Sequence, residues 1–236
     1  MSPTAVHEVT TDQGPGRLHR FTPGTHTPLR DPEVAAGIGR GTLLLGHGAG
    51  GGVETADLAA LTSLTDRGWE VVLLEQPWRV AGRRLAVAPP RLDAATVQML
   101  QALPHVTEAP RAWVLGGRSA GARVACRLRS YAQALCLVAF PLRPPQRGTR
   151  SPVPRTEELA APVREGIPTL VLQGLRDRFG SPEDVVRAVG AAVQAAPAGQ
   201  GAGGSLRVHG YPGDHGPSRD LDLVRREVEA FLDALP

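Results

Sequence analysis

Short apolar segments alternate with amphipathic segments along most of this 236-residue chain. The apolar segments are bounded by turn residues and carry few polar positions, which is typical of strands buried on both faces. They occupy residues 41–48, 70–77, 112–117, 134–141, 168–174 and 205–210. Helix-like segments lie between them, at residues 54–67, 93–103, 120–132, 182–196 and 219–235. This alternation predicts an α/β fold with a mainly parallel central sheet and helices on both faces.

The length and the regular alternation predict a single domain over residues 1–236. Residues 1–40 precede the alternation, and the segments AVHEVTT and RLHRFT predict a hairpin there. Residues 143–162 are rich in Pro and Arg and predict a short loop without an obvious helix over most of its length. Residues 196–204 predict a flexible connection before the last strand.

Composition narrows the classes of function. The formal net charge is +3, from 26 basic and 23 acidic residues, and every basic residue is an arginine. Since these arginines are spread along the chain, they do not favour nucleic-acid binding. No secretion signal or apolar run of membrane-spanning length is present, so we expect a cytoplasmic protein without a membrane partner. Cys126 and Cys136 are expected to be buried free thiols.

Residues 117–121 read Gly-Arg-Ser-Ala-Gly and match the pattern G-x-S-x-G around Ser119. The match follows an apolar strand and precedes a helix-like segment, as a nucleophile elbow requires. Glycine on both sides allows the sharp turn that lifts the serine hydroxyl away from the sheet. The alternative is a surface turn with an incidental serine. Ser119 is therefore the candidate nucleophile.

A serine nucleophile needs a base and a group that orients the base. Asp177 follows the strand TLVLQG, and His215 lies in the turn YPGDHG after the last strand, so the order is Ser, Asp, His. His209 remains an alternative base, and a histidine within a strand would also explain it. Asp184 and Asp214 are alternative acids, although one lies inside a predicted helix and the other adjoins His215. Asp177 could also serve only to cap a turn.

The Gly-rich segment HGAGGG, residues 47–52, follows the first parallel strand. Its small residues would let backbone N–H groups reach a developing oxyanion, and we expect Ala49 and Ala120 to supply these donors, with Gly50 as an alternative to Ala49. A phosphate-binding loop is the competing interpretation, but the P-loop lysine and the dinucleotide spacing are absent. His47 is expected to hold the loop by hydrogen bonding. No metal-binding spacing occurs, so neither a metal nor a cofactor is expected.

Several residues near the predicted site are candidates for substrate binding. Gly48 and Gly50 lie in the Gly-rich segment, and Arg118 lies inside the elbow. Further arginines follow the strand ends, at positions 79, 83, 84, 143, 147 and 150. They could favour an anionic ester, or they could only be solvated surface residues. The oligomeric state cannot be read from the sequence.

The chain resembles the α/β-hydrolase superfamily over nearly its full length. It resembles more closely the small dienelactone-hydrolase-like proteins, in the branch that includes a subunit of a eukaryotic histone-acetyltransferase complex. The segments that carry this resemblance are GHGAGGG (46–52), PWRVAGRR (77–84), GGRSAGARVA (116–125), FPLRPP (140–145), LQGLRDRFG (172–180) and GDH (213–215). In that branch methionine commonly follows the serine, whereas this chain has Ala120. The resemblance implies a serine hydrolase without a cap domain, with residues 143–162 as a short loop over the site.

The leading hypothesis is a serine hydrolase, a carboxylesterase or a dienelactone-hydrolase-like enzyme, that acts on a small-molecule ester or related acyl bond. Ser119 would form the acyl-enzyme, His215 would transfer the proton, and Asp177 would orient the imidazole. The alternative is a non-catalytic protein-interaction module on a hydrolase scaffold, as the eukaryotic relatives suggest. Fold alone cannot decide the substrate.

Overall fold

The structure is a computed structural model, and it describes residues 1–24, 40–105, 113–144, 154–195 and 205–235. Its strands are β1 (Ala5–Thr11), β2 (Gly14–Phe21), β3 (Gly41–Gly46), β4 (Trp69–Glu75), β5 (Trp113–Arg118), β6 (Ala134–Val138), β7 (Thr169–Gly174) and β8 (Leu206–Tyr211). Its α-helices are α1 (Ala56–Leu61), α2 (Pro77–Val80), α3 (Pro89–Ala102), α4 (Ala120–Arg127), α5 (Thr156–Arg164), α6 (Pro182–Gln194) and α7 (Leu221–Leu232). Short 3-10 helices follow α1, α3 and α4, at Thr62–Arg67, Leu103–His105 and Arg129–Tyr131.

The eight strands form one sheet in the order β1-β2-β4-β3-β5-β6-β7-β8. The β1–β2 and β2–β4 pairs are antiparallel, and every other pair is parallel. The predicted mainly parallel sheet is therefore confirmed, and β1 and β2 form an antiparallel hairpin within the N-terminal segment. From β3 the chain crosses to β4 on one side and then to β5 on the other. This reversal opens a crevice beyond the ends of β3 and β5, where parallel α/β sheets bind ligands.

Helices cover both faces of the sheet, as predicted. One apolar cluster joins the sheet to α3, α4, α5 and α6, through buried residues such as Met99, Val124 and Leu159. The other joins the opposite face to α1 and α7, through residues such as Leu58 and Phe231. The parallel strands β3, β6 and β7 are buried on both faces, which explains their continuous apolar sequences. This architecture is the one that the resemblance to the α/β-hydrolase superfamily implies, and the described residues include no separate cap domain.

The segment 143–162 differs from its predicted loop, because α5 begins at Thr156 within it. Leu159, Ala160 and Val163 are buried on this helix, which packs against α4 and α6. Tertiary burial thus stabilises a helix whose sequence contains Pro162 and follows a Pro-rich stretch. Residues 145–153 of the predicted loop lie outside the described residues, as does the predicted connection at 196–204.

Candidate active site

Ser119 lies in a sharp turn between β5 and α4, with backbone angles φ 52° and ψ −102°. Few L-residues adopt such a conformation, and its presence is a strain that the surrounding packing must hold. Gly117 and Gly121 make the packing possible. A Cβ at either position would lie 2.2 Å from the carbonyl oxygen of Gly46 at the end of β3. The turn therefore has the geometry of a nucleophile elbow, as the G-x-S-x-G pattern predicts.

The structure brings the three predicted catalytic residues into one hydrogen-bonded chain. Ser119 Oγ lies 2.9 Å from His215 Nε2, and His215 Nδ1 lies 2.8 Å from Asp177 Oδ2. An ionised carboxylate only accepts hydrogen bonds, so Nδ1–H donates to Asp177 and Nε2 accepts from the serine hydroxyl. This tautomer is the one that a general base for Ser119 requires.

Asp177 is held by further donors in the turn after β7. Its side chain is fully buried. The backbone N–H of Phe179 donates to Oδ1 at 2.8 Å, and Gln173 Nε2 donates to Oδ2 at 2.9 Å. Gln173 Nε2 also lies 2.8 Å from the carbonyl oxygen of Gly180, so the amide ties the carboxylate to its own turn. These contacts fix the carboxylate where it can orient His215.

The turn that carries His215 is also fixed on both sides. The hydroxyl of buried Tyr211 accepts a hydrogen bond from the backbone N–H of Gly216 at 3.0 Å. Burial raises the pKa of Tyr211, so this hydroxyl stays protonated. The ring of Phe179 meets the imidazole of His215 edge to face, with centroids 4.6 Å apart. The base is therefore oriented by more than its bond to Asp177.

Arg118 forms an ion pair with Asp57, with Nε 3.1 Å from Oδ2, and Asp57 is almost fully buried. The same guanidinium donates from Nη2 to the carbonyl oxygen of His215 at 3.3 Å. A Cβ at Gly48 would lie 3.3 Å from Arg118 Nη1 and 3.5 Å from Ser119 Cβ. Arg118 therefore joins the first helix, the histidine turn and the Gly-rich loop.

The Gly-rich loop after β3 lies beside the nucleophile, as the spacing of Gly48 and Ser119 shows. Ala120 is the first residue of α4, where backbone N–H groups have no partner within the helix. Among the described residues, no acceptor contacts the backbone N–H of Ala49 or of Ala120. Gly50 is exposed, and a Cβ there would meet nothing within 4 Å.

His47 holds this loop, as predicted. Its Nε2 accepts the backbone N–H of Gln76 at 3.1 Å, so Nδ1–H donates to the carbonyl oxygen of Gly48 at 2.9 Å. Burial lowers the pKa of His47 and outweighs the opposing effects of the Gly48 carbonyl and of Glu75. The side chain is therefore neutral, and both ring nitrogens are used for structure.

The alternative base and acids lie elsewhere. His209 is on β8, where its half-exposed ring pairs with Glu227 at 3.1 Å. Asp184 caps the start of α6 in a reciprocal arrangement with Ser181. Asp214 is exposed at the surface of the histidine turn. None of the three contacts Ser119 or His215 Nδ1, so the geometry selects Asp177 and His215.

A polar cleft of about 750 Å³ opens beside His215 and exposes the imidazole to solvent. Its walls include Thr55, Asp57, Arg118, Arg176 and Arg219. Of the other arginines considered from sequence, Arg79 pairs with Glu54 and Arg143 with Asp184, whereas Arg83 and Arg84 are exposed; Arg147 and Arg150 lie outside the described residues.

Three residues of the site were not predicted from the sequence: Asp57, Gln173 and Tyr211. Gln173 carried a usable signal, because it is a polar residue near the end of an otherwise apolar strand. Asp57 is likewise a charged residue on the buried face of a helix. We find no sequence signal for the role of Tyr211, since a buried tyrosine in a strand is ordinary core.

Other kinds of site can be considered from the described part of the chain. Within it, no group of three or more His, Cys, Asp or Glu side chains could hold a metal ion. The helices described there include none that is long and apolar enough to span a bilayer. Cys126 and Cys136 are buried free thiols, as predicted, and burial raises the pKa of Cys136 to about 12. The cysteines therefore take no part in the site.

The sequence profile of the alpha/beta hydrolase domain family matches residues 39–200, so the chain belongs to this family. The matched range contains the Gly-rich loop, Ser119 and Asp177. His215 lies beyond it and is placed by the three-dimensional structure alone. A search of curated proteins gave no match.

Solved structures share the fold over nearly the whole chain. An alpha-beta serine hydrolase homologue from Coxiella burnetii has a TM-score of 0.70 and 16% identity, covering 100% of this chain and 99% of that one. A serine hydrolase without lid from Xanthomonas campestris has a TM-score of 0.66 and 18% identity, covering 100% and 98%. A Klebsiella pneumoniae protein provisionally assigned as a dienelactone hydrolase has a TM-score of 0.64 and 15% identity, covering 98% and 99%. At these identities the similarity shows the fold alone.

Proposed function

We propose that this protein is a serine hydrolase that cleaves an ester or related acyl bond through an acyl-enzyme on Ser119. The observation that carries the proposal is the hydrogen-bonded chain from Ser119 through His215 to Asp177, at 2.9 and 2.8 Å. It is mounted on a strained elbow at the sheet edge where ligands bind. Carboxylester hydrolysis, or lactone opening as in a dienelactone hydrolase, is the substrate chemistry that fits.

In the first half of the reaction, Ser119 Oγ attacks the acyl carbon while His215 Nε2 takes the hydroxyl proton. Negative charge develops on the former carbonyl oxygen. The N–H groups of Ala49 and Ala120 are the proposed donors to that oxygen, and one such donor contributes about 3 kcal/mol. His215 then gives its proton to the leaving oxygen, and the bond to the leaving group breaks.

In the second half, a water molecule attacks the acyl carbon and loses a proton to His215 Nε2. The second tetrahedral intermediate collapses, the proton returns to Ser119 Oγ, and the acid product leaves. Asp177 accepts from Nδ1–H throughout and stabilises the imidazolium that forms twice in each cycle. The donors from Phe179 and Gln173 keep that carboxylate in place.

Arg118 was a predicted substrate contact, and its ion pair suggests a different role. Because Asp57 and the carbonyl oxygen of His215 already engage the guanidinium, we propose that Arg118 positions the histidine turn. Gly48 is placed to approach substrate closely, since it lies beside Ser119. Gly50 stays a prediction from sequence.

The interaction-module alternative is less favoured, because each catalytic position holds a competent group in working geometry. The closer relationship to the branch with a histone-acetyltransferase subunit rests on the sequence motifs alone. A cytoplasmic location and a small-molecule substrate without nucleic-acid partners likewise remain predictions.

A fluorophosphonate probe tests the proposal, because it reacts only with an activated serine. We expect wild-type protein to be labelled once, on the peptide that contains Ser119. Ser119→Ala should not be labelled, and His215→Ala should be labelled far more slowly. Equal labelling of wild type and Ser119→Ala, or no labelling of folded wild type, would exclude the mechanism.

A further inference from the structure

A second, smaller opening lies beside α3 and α4, on the other face of the sheet from the α1 residues that line the polar cleft. Its walls are mainly apolar and come from the end of β3 and from α2, α3 and α4. The lining includes His47, Trp78, Leu92, Ala120 and Val124. The cavity therefore adjoins the proposed oxyanion donor Ala120, which is one of its lining residues.

The cavity approaches the reacting atoms at Ala120, which belongs to its lining. Among its lining residues, only Gly46, Ala86 and Ala120 are more than slightly exposed, and the others are buried. Ala120 directly follows Ser119 in the chain. The end of the cavity at Gly46 and Ala120, which we call its mouth, therefore lies next to the position of the acyl carbon in a substrate attacked by Ser119.

The chemistry assigns the two openings to the two halves of an ester. His215 must reach the leaving oxygen to protonate it, so the leaving group lies on the side of the polar cleft, which His215 lines. The carbonyl oxygen points to the backbone donors. The leaving group and the carbonyl oxygen therefore occupy two directions around the acyl carbon, and the acyl substituent takes the remaining one. That direction leads past Ala120 into the apolar cavity.

The size of the cavity limits what can enter it. The cavity offers about 20 Å³ to the centre of a water-sized group, whereas the cleft offers about 750 Å³ on the same measure. The space in the cavity is a small fraction of the space in the cleft, so the cavity has room for a short apolar chain only. A larger leaving group can be accommodated in the polar cleft.

We propose that the cavity beside Ala120 is the acyl-binding site, and that its small size restricts the substrates to esters of short apolar acids. This inference rests on the proposed function. Ala120 and Val124 set the depth of the site, and the polar cleft accepts the alcohol.

The test uses p-nitrophenyl acetate, propionate, butyrate and hexanoate, which share one leaving group and differ in acyl length. For wild type we expect kcat/KM to fall by about tenfold or more from propionate to hexanoate, as for methylenes that a pocket cannot accept. Val124→Ala deepens the cavity and should raise the hexanoate-to-propionate ratio at least about fivefold. Ala120→Val fills the mouth and should lower the propionate-to-acetate ratio.

Val189→Ala is the matched control, because it removes the same atoms from a buried valine on α6, outside the cavity lining. It should leave the acyl-length profile unchanged. The inference is overturned if wild type hydrolyses all four esters equally, if folded Val124→Ala and Ala120→Val both keep the wild-type profile, or if Val189→Ala shifts it equally. Fluorophosphonate labelling separates the two proposals. If Ser119 is labelled but kcat/KM does not depend on acyl length, only the acyl site is contradicted. If wild type shows neither labelling nor ester turnover, both proposals are contradicted.

Discussion

The backbone of Ser119 illustrates how the proposed chemistry and the stability of the fold compete at a single residue. Its φ of 52° and ψ of −102° cost about 1–3 kcal/mol, and only glycine would relieve them. Under the proposed mechanism serine is needed there, because its hydroxyl has to stand clear of the sheet. The strain is held by hydrogen bonds and packing around the elbow, including the bond from Ser119 N–H to the carbonyl oxygen of Val138 at 2.9 Å.

Two substitutions at this position separate strain from chemistry. Ser119→Ala and Ser119→Gly should both lose ester turnover, by about 10⁵-fold or more. Ser119→Gly should nevertheless be more stable than Ser119→Ala by about 1 kcal/mol, because glycine adopts the conformation without strain. Urea unfolding of both variants measures the difference. Equal stabilities, or a less stable glycine variant, would contradict the strain assigned to this turn.

The pair of Asp57 and Arg118 is the second residue-scale feature, and its role in positioning the histidine turn can be measured. Arg118→Met and Asp57→Asn should each lower kcat by about tenfold with little change in KM, to the same extent for matched neutral and anionic esters. The double variant should lose little more than either single variant, since the two groups act together.

A different kinetic pattern would support the substrate-binding role that the sequence predicts for Arg118. If Arg118→Met raised KM for anionic esters alone and left neutral esters unchanged, Arg118 would be a substrate contact. Additive losses in the double variant would likewise contradict the positioning role.

At the scale of elements, the close approach of α4 to β3 is what places the elbow. Gly121 lies in the first turn of α4 and touches the backbone of Gly46. Glycine inside a helix ordinarily destabilises the helix by about 1 kcal/mol relative to alanine. Glycine is needed at position 121 because any side chain would clash with the backbone of Gly46. A helix at any greater distance from β3 would move the N–H of Ala120 away from the Gly-rich loop.

Two Gly→Ala substitutions in helices test this contact. Gly121→Ala should destabilise the protein by about 3 kcal/mol or prevent folding, since its Cβ would lie 2.2 Å from a backbone oxygen. Gly190→Ala in α6 meets nothing within 4 Å and should stabilise by about 0.5–1 kcal/mol. Thermal unfolding of both variants measures the contrast. A Gly121→Ala protein as stable as wild type would show that α4 does not need this approach.

The elements also show what could be predicted from sequence. Periodicity identified the parallel strands and most helices, because the apolar runs of β3 to β7 are buried on both faces and each helix on one. Strand β8 differs from its prediction, because its residues alternate between half-buried and exposed at the edge of the sheet. Periodicity failed at α5, because the segment around Leu159 and Val163 has few apolar residues and many Pro and Arg residues. Packing against neighbouring helices stabilises this helix instead. Strand β6 ends at Val138 rather than at 141, because Ala139 turns with φ 52°.

The candidate site could likewise be predicted only in part from the sequence. Ser119, Asp177 and His215 could be predicted because chemistry fixes their types and the sheet fixes their order. Asp57 and Gln173 stand out in the sequence as polar residues in apolar surroundings, but their partners could not be predicted. Only the folded chain brings Arg118 to Asp57, and the local pattern does not show that Gln173 donates to Asp177. Local sequence carries no record of such partners.

For the molecule as a whole, the buried neutral His47 ties stability to pH. Burial lowers its pKa in the folded state below the ordinary value of 6.5, so the unfolded chain takes up this proton at a higher pH than the folded chain does. The unfolded state then binds more protons, and stability falls as pH drops below about 6.5. Above that pH both states are neutral at this site and the effect vanishes.

We therefore expect wild type to lose stability relative to His47→Gln as pH falls from about 7 to 5, by up to about 1.4 kcal/mol per pH unit. The comparison removes contributions from the other titrating groups. Denaturant unfolding at several pH values measures both slopes. Parallel slopes for the two proteins would contradict a neutral buried His47.

The central claim is that Ser119 carries the acyl group during turnover. Wild-type protein mixed with p-nitrophenyl acetate and quenched in acid within one turnover should gain the mass of one acetyl group, located on the peptide that contains Ser119. Ser119→Ala should gain none under the same conditions. Turnover by wild type without any acyl adduct, or an adduct on another residue that persists in Ser119→Ala, would contradict the account.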